Sequence, residues 1–449
     1  MKIKTINRIE EQYTRERNQD VKKVHRNLDP SLHAMEGAHE YVRALNAVKL
    51  EKIFARPFVG ALAHNDGVTS LAKNPKRLNS ILAGSGDGQI RLWDIAGRRL
   101  LRSLDGHRMA VSGIAVTRCG HNVVSSSEDG TVRLWKVPAP AFEPGPVAES
   151  QESVMEYVGK SGFRGIDHHW EKDMFATAGA AVDVWDHERS EPIQTFEWGA
   201  DNVINVKFNP AEPDLFASCG ADRSIALYDL RSGTPVRKVV MQTRCNSLAW
   251  NPIEAFNFTV ANEDCNLYSY DMRKLDIAAC VHKDFVSSVM DVDYSPTGRE
   301  FVAGSYDRTI RIFKYNGGHS REVYHTKRMQ RVVAVQYSMD STYVLSGSDD
   351  MNVRVWKADA AEQLGTVLAR EKHKHAYNKA LVEKHKHLPE IRKISRDRKL
   401  PKEVLEATKV RRNVREGEKR RENRRREHSA PGSVPYQNER KRKIITQLE

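Results

Sequence analysis

One phrase constrains this chain more than any other: Gly84-Ser85-Gly86-Asp87-Gly88-Gln89-Ile90-Arg91-Leu92-Trp93-Asp94, a polar turn feeding an alternating strand that ends in Trp-Asp. It returns over residues 127–135, 221–229, 306–313 and 348–356, and weaker copies end at Trp185-Asp186 and Tyr270-Asp271. The anchors Trp93, Trp135, Trp185, Tyr228, Tyr270, Phe313 and Trp356 stand 42, 50, 43, 42, 43 and 43 residues apart. A unit of that length holds a few short strands and cannot bury its apolar faces alone. Seven such units set around an axis can bury theirs against each other. The repeat therefore predicts an all-β seven-bladed propeller over residues 56–369. An N-terminal arm (1–55) precedes it and a helical extension (370–449) follows.

Charge separates these parts. From Glu371 onward there are 25 Lys and Arg against 12 Asp and Glu, which equals the whole net excess of +13, so the preceding 370 residues are formally neutral. A neutral wheel with a basic arm points to a polyanionic partner reached through the arm. Cys119, Cys219, Cys245, Cys265 and Cys280 are scattered without C-x-x-C spacing, which suits buried thiols in a reducing compartment. No apolar run approaches spanning length and Met1 opens onto polar residues, so a soluble intracellular protein is expected.

Three enzyme-like signals dissolve on inspection. His107, Ser126 and Asp129 invite a hydrolase reading, but His and Asp recur around the wheel (His64, His107, His282; Asp87, Asp129, Asp222, Asp264, Asp307). There they can satisfy one another beside the Trp or Tyr. Gly84–Gly88 lacks the Gly-Lys-Ser ending of a phosphate cradle and reads as an Asp-Gly hairpin turn. His373/His375 and His385/His387 are i,i+2 pairs, which do not share a helix face. No catalytic residue, metal, cofactor, membrane or small-molecule substrate is expected.

The flanks supply the rest. Tyr41, Ala44, Leu45 and Val48 form a helical stripe over 40–54, for docking on the propeller or on a neighbour, its own propeller being favoured. Residues 56–62 can supply an outer strand that closes the ring, and 360–368 compete for that slot. Val137 to Pro146 is a proline-rich surface insertion, a spacer or a docking loop. Residues 360–388 read helical through Leu364, Leu368, Tyr377 and Leu381, and Pro389 and Pro401 open further helices. Over 409–426 basic residues cover every helical face. This is either an ordinary solvated helix or an RNA contact made by Arg411, Arg412, Arg415, Lys419, Arg420, Arg421, Arg424, Arg425 and Arg426. The density of Arg favours RNA. Arg440, Lys441, Arg442 and Lys443 form a candidate nuclear-localisation cluster.

The repeats resemble WD-repeat (WD40) proteins, and the flanks resemble a narrower group. Residues 26–33 (Arg-Asn-Leu-Asp-Pro-Ser-Leu-His), 40–50, Ala55-Arg56-Pro57-Phe58, 388–394 (Leu-Pro-Glu-Ile-Arg-Lys-Ile) and Leu400-Pro401-Lys402 are similar to the suppressor-of-fibrillarin (Sof-like) family across essentially the full chain. That resemblance implies a non-enzymatic nucleolar component of the small-subunit processome. Its expected partners are pre-ribosomal RNA, box C/D small nucleolar ribonucleoprotein and other processome proteins. Tyr228-Asp229-Leu230-Arg231 and Tyr270-Asp271-Met272-Arg273 are similar to the Trp-Asp-x-Arg ending of cullin-4 ligase substrate receptors, with Tyr in place of Trp. This second resemblance implies that Asp229, Arg231, Asp271 and Arg273 face a ligase adaptor.

Overall fold

A computed structural model describes residues 35–137, 152–198 and 202–448. The proline-rich insertion lies outside these apart from Val137, as does the 26–33 motif. Seven antiparallel sheets follow one another along the chain, five of them built wholly from four consecutive strands. Their first strands are Val68–Lys73, Val111–Val116, Gly165–His168, Val203–Phe208, Cys245–Trp250, Val289–Tyr294 and Val332–Tyr337, and these neighbour each other in cyclic order around the axis. The seven-bladed WD-repeat propeller read from the period is the fold observed.

Each blade forms because apolar residues alternate or run continuously through its middle strands, which sit between two neighbouring blades. In blade 2, Val123, Val124, Val132 and Trp135 are fully buried. The turn joining the second and third strands recurs with one residue in the left-handed region just after an Asp: Gly88 at φ 86°, Gly130 at 80°, Arg223 at 67°, Cys265 at 66°, Arg308 at 63° and Met351 at 64°. Only at Gly88 does space also demand glycine, since a Cβ there would lie 2.4 Å from the His107 carbonyl oxygen.

Ring closure falls to Phe58–Ala63, which pairs antiparallel with Asn352–Lys357 and becomes the fourth strand of blade 7. Residues 360–368 form no strand. Along the axis, polar groups link blades: the Lys73 ammonium lies 2.9 Å from Asp293, Lys207 3.3 Å from Asp167, and Asp291 accepts from the Ser247 hydroxyl at 2.8 Å and the Val335 amide at 2.9 Å. Burial pushes the Asp291 carboxyl up to about 6.

The chain divides into two compact units, residues 1–57 with 359–399, and residues 58–358 with 400–449. In the smaller unit α1 (Glu36–Phe54) buries Ala44 and Val48 against Leu381 of α2 (Ala369–Lys384) and Ile391 of α3 (Pro389–Arg396). Glu40, almost fully buried, is joined by the Lys384 ammonium at 2.5 Å. The apolar stripe expected to favour the propeller is thus covered by helices more than 300 residues away in sequence. Helix α2 begins later than its pattern indicated, because Leu364 and Leu368 precede it and are exposed.

Among the five cysteines, all unpaired, only Cys219 and Cys245 are buried, while Cys119 is exposed. No helix among the described residues is long and apolar enough to cross a membrane.

Candidate functional site

The hydrolase-like grouping is a structural strut. The His107 Nε2 faces Ser125 Oγ at 2.7 Å, and Trp135 Nε1 donates to the same oxygen at 2.8 Å. On the other side of the ring, Nδ1 lies 3.1 Å from Thr131 Oγ1 and 3.4 Å from Asp129. The serine involved is Ser125, fully buried, whereas Ser126 turns toward Ser112. Burial opposes ionisation of Asp129, yet the Thr131 hydroxyl and the Arg108 and Thr131 amides hold it below its ordinary value. These bonds tie the strands of the blade together.

Other blades satisfy the same corner differently. His64 accepts directly from Trp93 Nε1 at 3.0 Å, and Asp87 turns to Ser85 and the Gln89 amide. In blade 4 Lys238 occupies the corner, 2.7 Å from Asp222 and 2.8 Å from the Trp198 carbonyl. In blade 7 the buried Arg354 grips Asp350 with both guanidinium nitrogens. The expected His–Asp pairing therefore holds in blade 2, a cation stands at that corner in blades 4 and 7, and in blade 5 Asp264 accepts from Tyr268 and Asn266 while His282 bonds Ser269 and the Gly317 carbonyl.

The basic tail docks by one face. Helix α4 (Lys402–Glu427) places Val404, Arg411, Arg415, Glu422 and Arg426 at intervals of seven and four, and these are among its more buried positions. A helix of 3.6 residues per turn aligns such positions on one side. The Arg411 guanidinium donates to the carbonyl oxygens of Phe285 and Asp264, and Arg415 reaches Asn266 Oδ1 at 3.1 Å. Arg426 stacks over Tyr436, its charge 5.0 Å from the ring centre, and approaches Glu422 at 3.7 Å. Arg411, Arg415 and Arg426, three of the nine residues expected to contact RNA, are engaged within the chain.

The remaining six of that set, Arg412, Lys419, Arg420, Arg421, Arg424 and Arg425, are exposed. Arg412 and Arg420 share Glu416, at 2.9 and 3.7 Å, a solvent-facing pairing that leaves donors free.

The candidate localisation cluster is also partly engaged. Arg440–Arg442 end the short helix α5 (Glu439–Arg442), and Ile444–Leu448 continues as a fifth strand on blade 4, paired with Pro235–Met241. Arg442 lies 2.6 Å from Glu422 and the Lys443 ammonium donates to Gln242 at 3.2 Å, while the side chains of Arg440 and Lys441 stay exposed.

Blades 4 and 5 repeat one small device. Arg231 and Arg273 each fold back on the aspartate two residues earlier, the backbone amide donating to it at 2.9 and 3.0 Å and the guanidinium Nε at 3.2 and 3.0 Å. Both side chains remain more than half exposed. The carboxylate fixes each fork without burying it, so adjacent blades present the same donor pair at the same strand end.

This layout can be set beside known proteins. Residues 358–444 match the Sof1-like domain, and residues 57–94, 98–136, 279–314 and 319–357 match the WD domain, G-beta repeat. The zebrafish (Danio rerio) protein "DDB1- and CUL4-associated factor 13" is 47% identical over 450 residues, with all of both chains covered. The chain belongs to the Sof1-like family. The human protein of the same name is 47% identical over 446 residues, covering 99% of each chain. "Protein SOF1" of Saccharomyces cerevisiae is 45% identical over 465 residues, covering 99% of this chain and 94% of its own. The Sof1-like match thus includes α2, α3, α4 and α5, the elements that carry the basic excess.

Proposed function

We propose that this Sof1-like chain is a non-catalytic scaffold of the small-subunit processome, in the nucleolus, holding pre-ribosomal RNA and box C/D ribonucleoprotein through its tail and neighbouring proteins through its propeller. The observation that carries this reading is the two-sided helix α4, which spends Arg411 and Arg415 on the propeller and leaves six cations facing outward along one rigid rod. A rod so anchored keeps a fixed charge spacing toward a phosphate chain, and modest contacts on several surfaces combine through effective concentration. The likeness to "Protein SOF1" supports the same assignment. The buried His107–Ser125 corner supports the absence of hydrolytic chemistry there.

Replacing Arg412, Lys419, Arg420, Arg421, Arg424 and Arg425 by Gln is expected to flatten the dependence of log K on log salt for single-stranded ribosomal RNA by about 4, from roughly 0.7 per phosphate contact. Filter binding at several salt concentrations measures it. An unchanged slope would remove RNA from this helix.

The paired forks of blades 4 and 5 favour a second reading, a substrate receptor for a cullin-4 ubiquitin ligase, which the name of the vertebrate relatives supports. On this reading Arg231→Ala with Arg273→Ala abolishes capture of the ligase adaptor from nuclear extract while box C/D RNA recovery is retained. Loss of both, or of neither, argues against separate surfaces.

A further inference from the structure

Blade 3 gathers three metal-competent side chains at one end of its sheet. His168 ends the first strand, Asp173 immediately precedes the second (Met174–Ala178), and His187 follows the third (Val182–Asp186). Antiparallel register sets His168 opposite Phe175 and Met174 opposite Asp186, which brings all three to the same edge. One ligating atom from each lies within 4.8 Å of the others.

The two imidazoles meet nitrogen to nitrogen, Nε2 to Nε2 at 3.1 Å. His168 Nδ1 lies 2.6 Å from the His169 carbonyl oxygen, which can only accept, so Nδ1 carries the proton and Nε2 presents a lone pair toward His187. A backbone carbonyl behind a ligating imidazole is the usual outer support of a metal site. Two nitrogens each bound at about 2.0–2.1 Å in a tetrahedral arrangement stand about 3.3 Å apart, close to the separation here.

The backbone that carries Asp173 and His187 is pinned. The buried His169 ring accepts the Glu171 and Lys172 amides at 3.0 Å each, shaping the turn that delivers Asp173. The His187 amide donates to the Asp173 carbonyl at 3.2 Å, and the Tyr157 hydroxyl donates to the His187 carbonyl at 2.8 Å.

We infer that His168, His187 and Asp173 form a binding site for a divalent transition metal of the zinc class. Two imidazoles and one carboxylate suit Zn²⁺, and three protein ligands leave a fourth position for water or for a ligand from outside. His168 and Asp173 line a cleft of about 490 Å³ whose other walls include Lys76, Arg118, Cys119 and Trp170. The site is independent of the RNA and adaptor readings.

The test uses the full chain, stripped with a chelator and titrated with Zn²⁺ against a chromogenic competitor, then with Co²⁺ followed by visible absorption. One tight equivalent is expected, with the intense bands of a four-coordinate Co²⁺ site. His187→Ala should weaken binding by at least about 100-fold and Asp173→Asn, at an exposed position that the fold tolerates, by at least about 10-fold, judged against the 10–100-fold that outer-shell changes alone produce. His373→Ala with His375→Ala should leave binding unchanged. Absent binding, or binding lost with the tail histidines and retained in Asp173→Asn and His187→Ala, would reduce the pair to a plain imidazole–imidazole hydrogen bond.

Discussion

Leu62→Asp is expected to cost more than about 5 kcal/mol and to leave little folded protein at 37 °C. Leu62 is 1% exposed and packs with Val68, Leu345 and Val353 between the last blade and the first. Removing it forfeits about 2–3 kcal/mol of apolar burial. The new carboxylate has no cation in that cluster and must be neutralised or expelled, which costs several kcal/mol more. Together these rival the whole stability of an ordinary domain. Expulsion would pull Phe58–Ala63 away from Asn352–Lys357 and expose a sheet edge, so aggregation should accompany unfolding. Leu78→Asp, at a site 58% exposed, serves as the control and should stay within about 0.5 kcal/mol of the parent. Urea denaturation of both decides the matter, and equal midpoints would show that the closing strand contributes little.

Acidification should destabilise the propeller before ordinary, solvated carboxylates titrate. Burial pushes His64 and His282 from 6.5 down to about 4. His282 is held neutral between Ser269 Oγ at 2.9 Å and the Gly317 carbonyl at 2.6 Å, and His64 accepts the Trp93 indole proton. Between pH 6.5 and 4 the unfolded chain binds protons that these folded imidazoles refuse, so stability is full above 6.5 and falls as pH drops through that window. The loss approaches roughly 3 kcal/mol for each imidazole. His107, also lowered by burial, acts in the same direction. Asp291 acts oppositely: its carboxyl, raised to about 6, binds a proton in the folded state earlier than in the unfolded one and returns part of the loss below pH 6. Urea midpoints measured from pH 7.5 to 5 should fall steadily, and the slope should shrink by about one proton in His282→Gln. A flat profile in the parent protein would mean that these imidazoles are solvated.

What could be read from sequence depended on whether a pattern names its own partner. The anchors Trp93 to Trp356 did, because a period in the low forties has one economical packing. The closing strand did not: residues 56–62 and 360–368 are both apolar enough, and only pairing with Asn352–Lys357 decides between them. The stripe on α1 revealed its burial and not its cover, since Leu381 and Ile391 lie far along the chain. In α4 cations occupy every face, which hid the division between Arg411, bound to two carbonyls, and Arg412, facing solvent. The spacing of Val404 with Arg411 and Arg415 was the available clue. Lys238 and Arg354 do the electrostatic work that His does in blade 2, and a lone cation has no motif that marks it in sequence. His168, Asp173 and His187 have no motif spacing and meet only through strand register.

The pairing of Phe58–Ala63 with Asn352–Lys357 also imposes a schedule on biosynthesis. Nearly 300 residues must leave the ribosome between the two halves of blade 7, which at about 5–20 residues per second is on the order of 15–60 s. Throughout that interval six blades can assemble in order, while the earliest strand waits with its apolar face unclaimed and the first blade open on one side. A nascent chain of this design keeps its first strand unpartnered until most of the propeller is made, and holdase chaperones have their natural target there.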